Sequence, residues 1–429
     1  MRTGTVICAA CLLWVASTLL SAQRGGMFQG RSDDPAINYL TGPLDNVVDT
    51  LNRRLAAGEA RLSFEGRSGY LKSTLEALDV PVDSQLLVFS PTSLQARRIN
   101  PQNPRALFFA DRVAVGWVRD GDVLEVAAHD RTQGIVFYTL EQKPVEQPQF
   151  TRMTMCLGCH GGGPTLGIPG LLMFNTRGAD ARNVDRSEMM DHRSPLTERY
   201  GGWFVTGASG RIGHMGNGVP ALDNRPTRMI DSVAGLFDSD GYRSTYSDIA
   251  ALMVFTHQAH MTNLLIRASW EARAADPALH PPYSVDPEES ARIATVMRGV
   301  AEEVVDYLLF VDEAPLVDHV AGGSGFAARF SASGPRDSKG RSLYELDLRT
   351  RLLKYRCSYL IYSPAFDALP PAIKAPIYER LRQVLSGEEH APRYVSALPR
   401  ADRQAILDIL RDTKPDLPEV FRSASLTVR

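Results

Sequence analysis

Cys156-Leu157-Gly158-Cys159-His160 is the stretch on which the reading of this chain turns. C-x-x-C-H is the pattern of c-type haem attachment. Two thiols three residues apart on a tight turn reach the two vinyl groups of a porphyrin. The next residue then lies under the iron, and its imidazole becomes the proximal ligand. Three other origins compete. A thioredoxin-like pair opens a helix after a strand in a βαβ unit, whereas this one follows Thr151-Arg152-Met153-Thr154-Met155 and precedes a glycine run. A structural zinc site needs four ligands, usually with a second closely spaced pair, and none follows the N-terminal apolar segment. Chance yields such a pentapeptide on the order of once in a thousand chains of this composition. The motif therefore assigns haem c, with its iron, to Cys156, Cys159 and His160.

Working outward, His160 is followed by Gly161-Gly162-Gly163-Pro164-Thr165-Leu166. Glycines allow backbone to approach a porphyrin edge. The Pro164 carbonyl is the expected acceptor for the His160 Nδ1–H, which would fix the tautomer with Nε2 towards iron. This loop is similar to the haem loop of small soluble cytochromes c; the alternative is a plain flexible turn.

The second axial ligand stays open between several residues. Met215 and His214, in Arg211-Ile212-Gly213-His214-Met215-Gly216-Asn217-Gly218, form one candidate pair in a glycine-flanked loop. His257 and His260, with Met261 near them, are the second; they fall on one face of a helix expected over residues 246–273, with Ser247 as N-cap. His192 is the third, and an empty distal position is the fourth. Each of these side chains also has an ordinary reading as a packed or solvated residue.

The rest of the chain divides around this motif. Residues 1–22 read as a secretory signal peptide: Arg2, an apolar run through Leu20, and Ser21-Ala22 before Gln23. An uncleaved anchor is the alternative. No later stretch reads as a membrane span. Residues 23–150 form an N-terminal region with an exposed leader to about Pro43, a helix capped by Asp45 or Asn46, and an antiparallel β meander. In the meander, Asp120-Gly121 marks a hairpin. Residues 151–275 form the haem-binding region. Residues 276–429 form a helical C-terminal region, with a Gly/Ser-rich mobile stretch at 321–341 and helices near 293–311, 372–385 and 401–411. The expected fold class is α+β: a mainly α-helical cytochrome c-like haem region, an N-terminal antiparallel β meander and a helical C-terminal region.

Composition bounds the function. The 429 residues are 44% hydrophobic and 22% charged, with formal net charge −2. That excludes a nucleic-acid footprint and a general attraction to acidic membranes. Past the signal peptide only Cys156, Cys159 and Cys357 remain, too few for a disulfide framework. Cys357 reads as a small buried hydrophobe.

The chain resembles a family of exported bacterial single-haem cytochrome c domain proteins from about Ser90 to its C-terminus. The resemblance rests on Ser90-Pro91-Thr92-Ser93-Leu94-Gln95, Cys156 to His160, Asp191-His192-Arg193-Ser194-Pro195-Leu196, Tyr200-Gly201-Gly202-Trp203, His214-Met215-Gly216-Asn217 and Arg351-Leu352-Leu353-Lys354-Tyr355 through Cys357. It implies haem binding, and it supplies neither a distal ligand nor a substrate. The expectation is one-electron transfer with a redox partner protein, in the periplasm or otherwise outside the cytoplasm. The alternative is a peroxidase-like enzyme, with His192 and Arg193 or His257 and Gln258 as base and charge stabiliser, or a haem-based sensor with an open iron site.

Overall fold

The structure is a computed structural model that describes residues 31–176, 187–218, 232–280 and 286–423. The expected signal peptide, 1–22, lies outside them.

The β meander is present and larger than expected. Strands β1 (Leu86–Val88), β2 (Arg105–Ala110), β3 (Val113–Trp117), β4 (Val123–Asp130), β5 (Gly134–Glu141) and β6 (Thr151–Arg152) pair antiparallel. A separate ribbon is made by β7 (Phe174–Thr176) and β8 (Ser187–Met189), and β9 (Trp203–Phe204) joins the main sheet beside β1. The order is β6-β5-β4-β3-β2-β1-β9. Two of its strands thus come from beyond residue 150, so the expected boundary there runs through a continuous sheet. The hairpin at Asp120-Gly121 forms as expected, with Asp120 at φ 56°.

Alternation gives the sheet two covered faces. Leu124, Val126 and Ala128 of β4 and Val136, Tyr138 and Leu140 of β5 face a core closed by α1 (Val47–Ala56) and α2 (Leu71–Ala77). Asn46 caps α1, its side chain accepting from Val48 and Asp49 N–H. The preceding leader is not simply exposed, since Ile37 and Tyr39 enter this core and Tyr39 Oη donates to the Ile135 carbonyl at 2.7 Å.

The region expected to bind haem, 151–275, is not mainly helical. Between residues 151 and 248 the described chain has one α-helical turn, α3 (Leu157–His160), among short strands, 3₁₀ turns and loops. Its long helix comes only at α4 (Ile249–Ala274), which lies on the second face of the sheet. There Phe255 meets Phe109 at 4.7 Å between centroids, and Gln258 Nε2 donates to the Ala110 carbonyl at 2.8 Å. The sequence suggests one apolar face for α4; almost all of its residues are in fact buried, because neighbours surround it. Its N-cap is Asp248, not Ser247. The Ser247 hydroxyl instead donates to the Phe204 carbonyl and accepts the Leu87 N–H, tying β9 to β1. Among the described residues α4 is the one helix long and apolar enough to span a membrane, which corrects the expectation that no such stretch exists. It is packed inside the protein, with 94% of its most apolar window buried.

The C-terminal region is helical as expected: α5 (Pro287–Leu308), α6 (Phe326–Ala332), α7 (Pro371–Ser386) and α8 (Arg400–Thr413). Residues 321–341, expected to be mobile, hold α6, and Asp248 fastens their start through Gly323 and Ser324. Cys357 is fully buried, and burial pushes its thiol up.

Candidate functional site: the Cys156–His160 turn

β6 leads directly into the motif. The Met153 N–H donates to the Phe137 carbonyl at 2.8 Å, so the chain leaves the sheet edge beside β5. A 3₁₀ turn over Thr154–Cys156 runs into α3. Cys156 and Cys159, three residues apart, therefore lie one turn from each other on a common side. Cys156 is half-buried and Cys159 exposed. Burial raises the Cys156 thiol pKa, and nearby Glu125 adds to this. A Cβ added at Gly158, between them, would meet nothing within 4 Å.

The His160 ring packs on Phe137 with centroids 4.7 Å apart. Its Nδ1 lies 2.9 Å from the Gly170 carbonyl. Because the acceptor is a carbonyl, Nδ1 carries the proton and donates. Gly170, not Pro164, is thus the partner. The chain makes a closed loop between them, with Gly170 N–H returning to the His160 carbonyl at 3.0 Å. Within the loop Thr165, Leu166 and Gly167 N–H bond back to Gly162 and Gly163 carbonyls, and Leu166 takes φ 62°. The Nε2 atom has no hydrogen-bond partner among the described residues, and burial lowers the ring's pKa, opposed by the Gly170 bond. A neutral imidazole with Nδ1 donating and Nε2 unshared is the form that ligates a metal.

The surface beside the ring suits a flat group. Phe109, Ala114, Ala127 and Phe137 are direct cross-strand neighbours, and so are Leu107, Gly116, Glu125 and Thr139 in the next row. Both rows share the α4 side of the sheet. Leu107, Ala114 and Ala127 are only half-buried there, which leaves apolar surface between Phe109 and Phe137. Arg105, ion-paired to Glu125 at 2.5 Å and lying over Gly116, is close enough for its charge to be felt at both Cys156 and His160. An apolar floor, two thiols on one turn and a free Nε2 fit a covalently held porphyrin. Among the described residues no three His, Cys, Asp or Glu side chains converge as a metal cluster.

The expected distal candidates are not brought to His160. Residues 214–217 wrap around β9: the Asn217 N–H donates to the Trp203 carbonyl and its side chain pairs with both backbone groups of Val205. Met215 Sδ accepts from Asn175 Nδ2 at 3.3 Å. His214 is buried, which lowers its pKa to about 4. Five strand spacings separate β9 from β5, or about 24 Å along the sheet. Ligands on opposite sides of one iron are only about 4 Å apart at ordinary metal–nitrogen distances of roughly 2 Å. Met215 and His214 therefore belong to the far edge of the sheet.

His257 is also engaged elsewhere. Its Nδ1 lies 2.8 Å from His192 Nδ1, and its Nε2 lies 2.7 Å from Ser358 Oγ. Both rings stack on Tyr307 and Phe310. His260 packs on Tyr307 with Nε2 3.5 Å from Arg193, whose guanidinium is ion-paired to Asp191. Met261 is fully buried in the core. Gln258 is bonded to Ala110 and Tyr359. His192 and His257 thus lie in the packing of α4 against Tyr307 and Phe310, while Gln258 ties α4 to β2 and Tyr359. His192 and His257 meeting in one buried pair is a feature the sequence does not announce, since 65 positions separate them.

Burial holds these histidines neutral: His257 is lowered to about 3, His260 to about 4, and His192 falls well below its ordinary 6.5. Their unfolded forms take up protons near pH 6.5, so the stabilisation is complete above that pH and is lost as pH falls towards 3. Urea midpoints are expected to fall steadily over that window, and His257→Leu is expected to flatten the curve. Equal slopes in the two proteins would contradict this account.

No family model matches the chain, and neither the curated proteins nor the solved structures contain a match to it.

Proposed function

We propose that this chain is an exported single-haem c-type cytochrome that transfers one electron to or from a redox partner protein. The haem would be bonded to Cys156 and Cys159, with His160 as the proximal ligand. The observation that carries the reading is the His160 ring, donating through Nδ1 to Gly170 with Nε2 unshared beside apolar surface. The haem supplies the redox change; the protein orients it, covers it and sets its potential through the axial ligand and surrounding hydrogen bonds.

The placement of Met215 and His214 favours a second reading, in which the iron's other side is reached by a small ligand, as in a peroxidase-like enzyme or a sensor. The reduced absorption spectrum with and without carbon monoxide separates the two. An unchanged spectrum supports electron transfer with both axial positions held, and a shift supports the enzyme or sensor. In either case Met215→Ala and His214→Ala are expected to leave the reduced spectrum unchanged. A changed reduced spectrum in either variant would overturn the geometric placement of that loop.

A further inference from the structure

Asn263 sits in the second half of α4 and is fully buried. Its Oδ1 accepts the Leu171 N–H at 2.8 Å, and its Nδ2 donates to the Leu171 carbonyl at 2.8 Å. One amide thus satisfies both backbone groups of a residue that belongs to no strand. The residue before Leu171 is Gly170, whose carbonyl accepts from His160 and whose N–H returns to it. The contact leaves no slack, since a Cβ on Gly170 would come within 2.5 Å of Asn263 Oδ1. The neighbouring Pro169 carbonyl is fixed to the sheet by Ile135 N–H at 3.1 Å. The acceptor of the His160 proton is therefore clamped between β5 and α4.

We propose that Asn263 is a positioning residue for the proximal ligand: by gripping Leu171 it holds the Gly170 carbonyl against His160 Nδ1–H and so sets the donor strength of Nε2. This rests on His160 being the iron ligand. A carbonyl partner raises the basicity of a ligating imidazole, which favours the ferric state and lowers the midpoint potential. Polar side chains of buried helices commonly serve only to satisfy a nearby loop. Asn263 goes further because the loop it satisfies is the one that bonds the proximal ring.

The test uses the intact holoprotein. A denaturing gel stained for haem first reports whether haem is covalently attached; its absence from the wild type would fail the haem reading and not the clamp. In haem-loaded wild type, the His160 Nδ1–H and the Leu171 N–H are expected to exchange with solvent with matching protection, because one opening event frees both. In Asn263→Ala, which removes both hydrogen bonds to Leu171, the Nδ1–H is expected to exchange at least about tenfold faster, the amount corresponding to one of the two, and the midpoint potential to rise. Gly170→Ala is expected to move both readouts the same way, and to add nothing once Asn263→Ala has cleared the space. Thr262→Ala, a neighbouring buried position outside the clamp, is expected to move neither. Unaltered exchange and potential in Asn263→Ala would overturn the proposal. Should that variant not fold, protection of the two protons in wild type differing by more than about tenfold would overturn it equally.

Discussion

Cys156→Ala combined with Cys159→Ala is expected to leave no haem on the protein band of a denaturing gel, while the wild type is expected to keep its stain. Cys159 is exposed and Cys156 half-buried at the edge of a core, so the double change removes the attachment chemistry at the cost of only the contacts that the Cys156 sulfur makes there. Alanine has the highest helix propensity, and α3 is expected to form in the variant. His160→Ala has a different signature. The thioethers would still form but the proposed iron ligand would be gone, so a stained band is expected to persist while the reduced spectrum changes. Covalent haem surviving the double cysteine change would sink the assignment of the motif, whatever the spectrum of the His160 variant.

The parts of this fold that sequence pattern announces are those governed by local physics. The period-two alternation of β4 and the Asp120-Gly121 turn place the hairpin correctly. The apolar spacing of residues 372–385 and 401–411 places α7 and α8 to within two residues. What stays hidden is decided by partners distant in the chain. β9 is two residues long and exists because β1 offers it an edge. Ser247 and Asp248 are equally good caps in isolation. Asp248 takes the role because Ser247 is occupied by the Phe204 carbonyl and the Leu87 N–H.

The same division runs through the candidate site. The C-x-x-C-H spacing is local chemistry and is legible from five residues. The acceptor for His160 is not, since Pro164 and Gly170 are both nearby carbonyls. The choice between them follows from Asn263, 103 positions beyond His160. The distal candidates fail for a related reason. Glycines flanking His214 and Met215 suggest a loop free to close over a haem. The loop instead spends its polar groups on β9: Gly216 packs against Val205, and Asn217 bonds the backbone of Val205 on both sides. One usable signal was present in sequence, the Gly-flanked Asn217, whose side chain mimics a strand partner.

Asp248→Ala is expected to cost about 4 kcal/mol of folding stability. Its Oδ1 caps α4 through Ala250 and Ala251 N–H at 2.8 and 3.2 Å, an interaction worth about 1 kcal/mol in typical caps. Its Oδ2 accepts from Gly323 N–H, Ser324 N–H and the Ser324 hydroxyl at 2.8, 2.9 and 2.8 Å. Hydrogen bonds to a charged acceptor contribute about 1.5–3 kcal/mol each, although Gly323 is exposed and Ser324 half-buried, so water can reach these donors once the carboxylate is gone. Simple addition would exceed 4 kcal/mol. Because the three donors share one oxygen and one segment, their losses overlap, and water entering near Ser324 restores part of them. Asp248→Asn separates the contributions: the amide oxygen can keep the cap, but its NH₂ then faces donors from Gly323 and Ser324, so about half the loss is expected to remain. Urea unfolding followed by circular dichroism reads both values. A loss below about 1 kcal/mol in Asp248→Ala would mean that the bonds to Gly323 and Ser324 contribute nothing net. The start of α4 would then be held by apolar packing alone, and the carboxylate would be a tolerated passenger in the core.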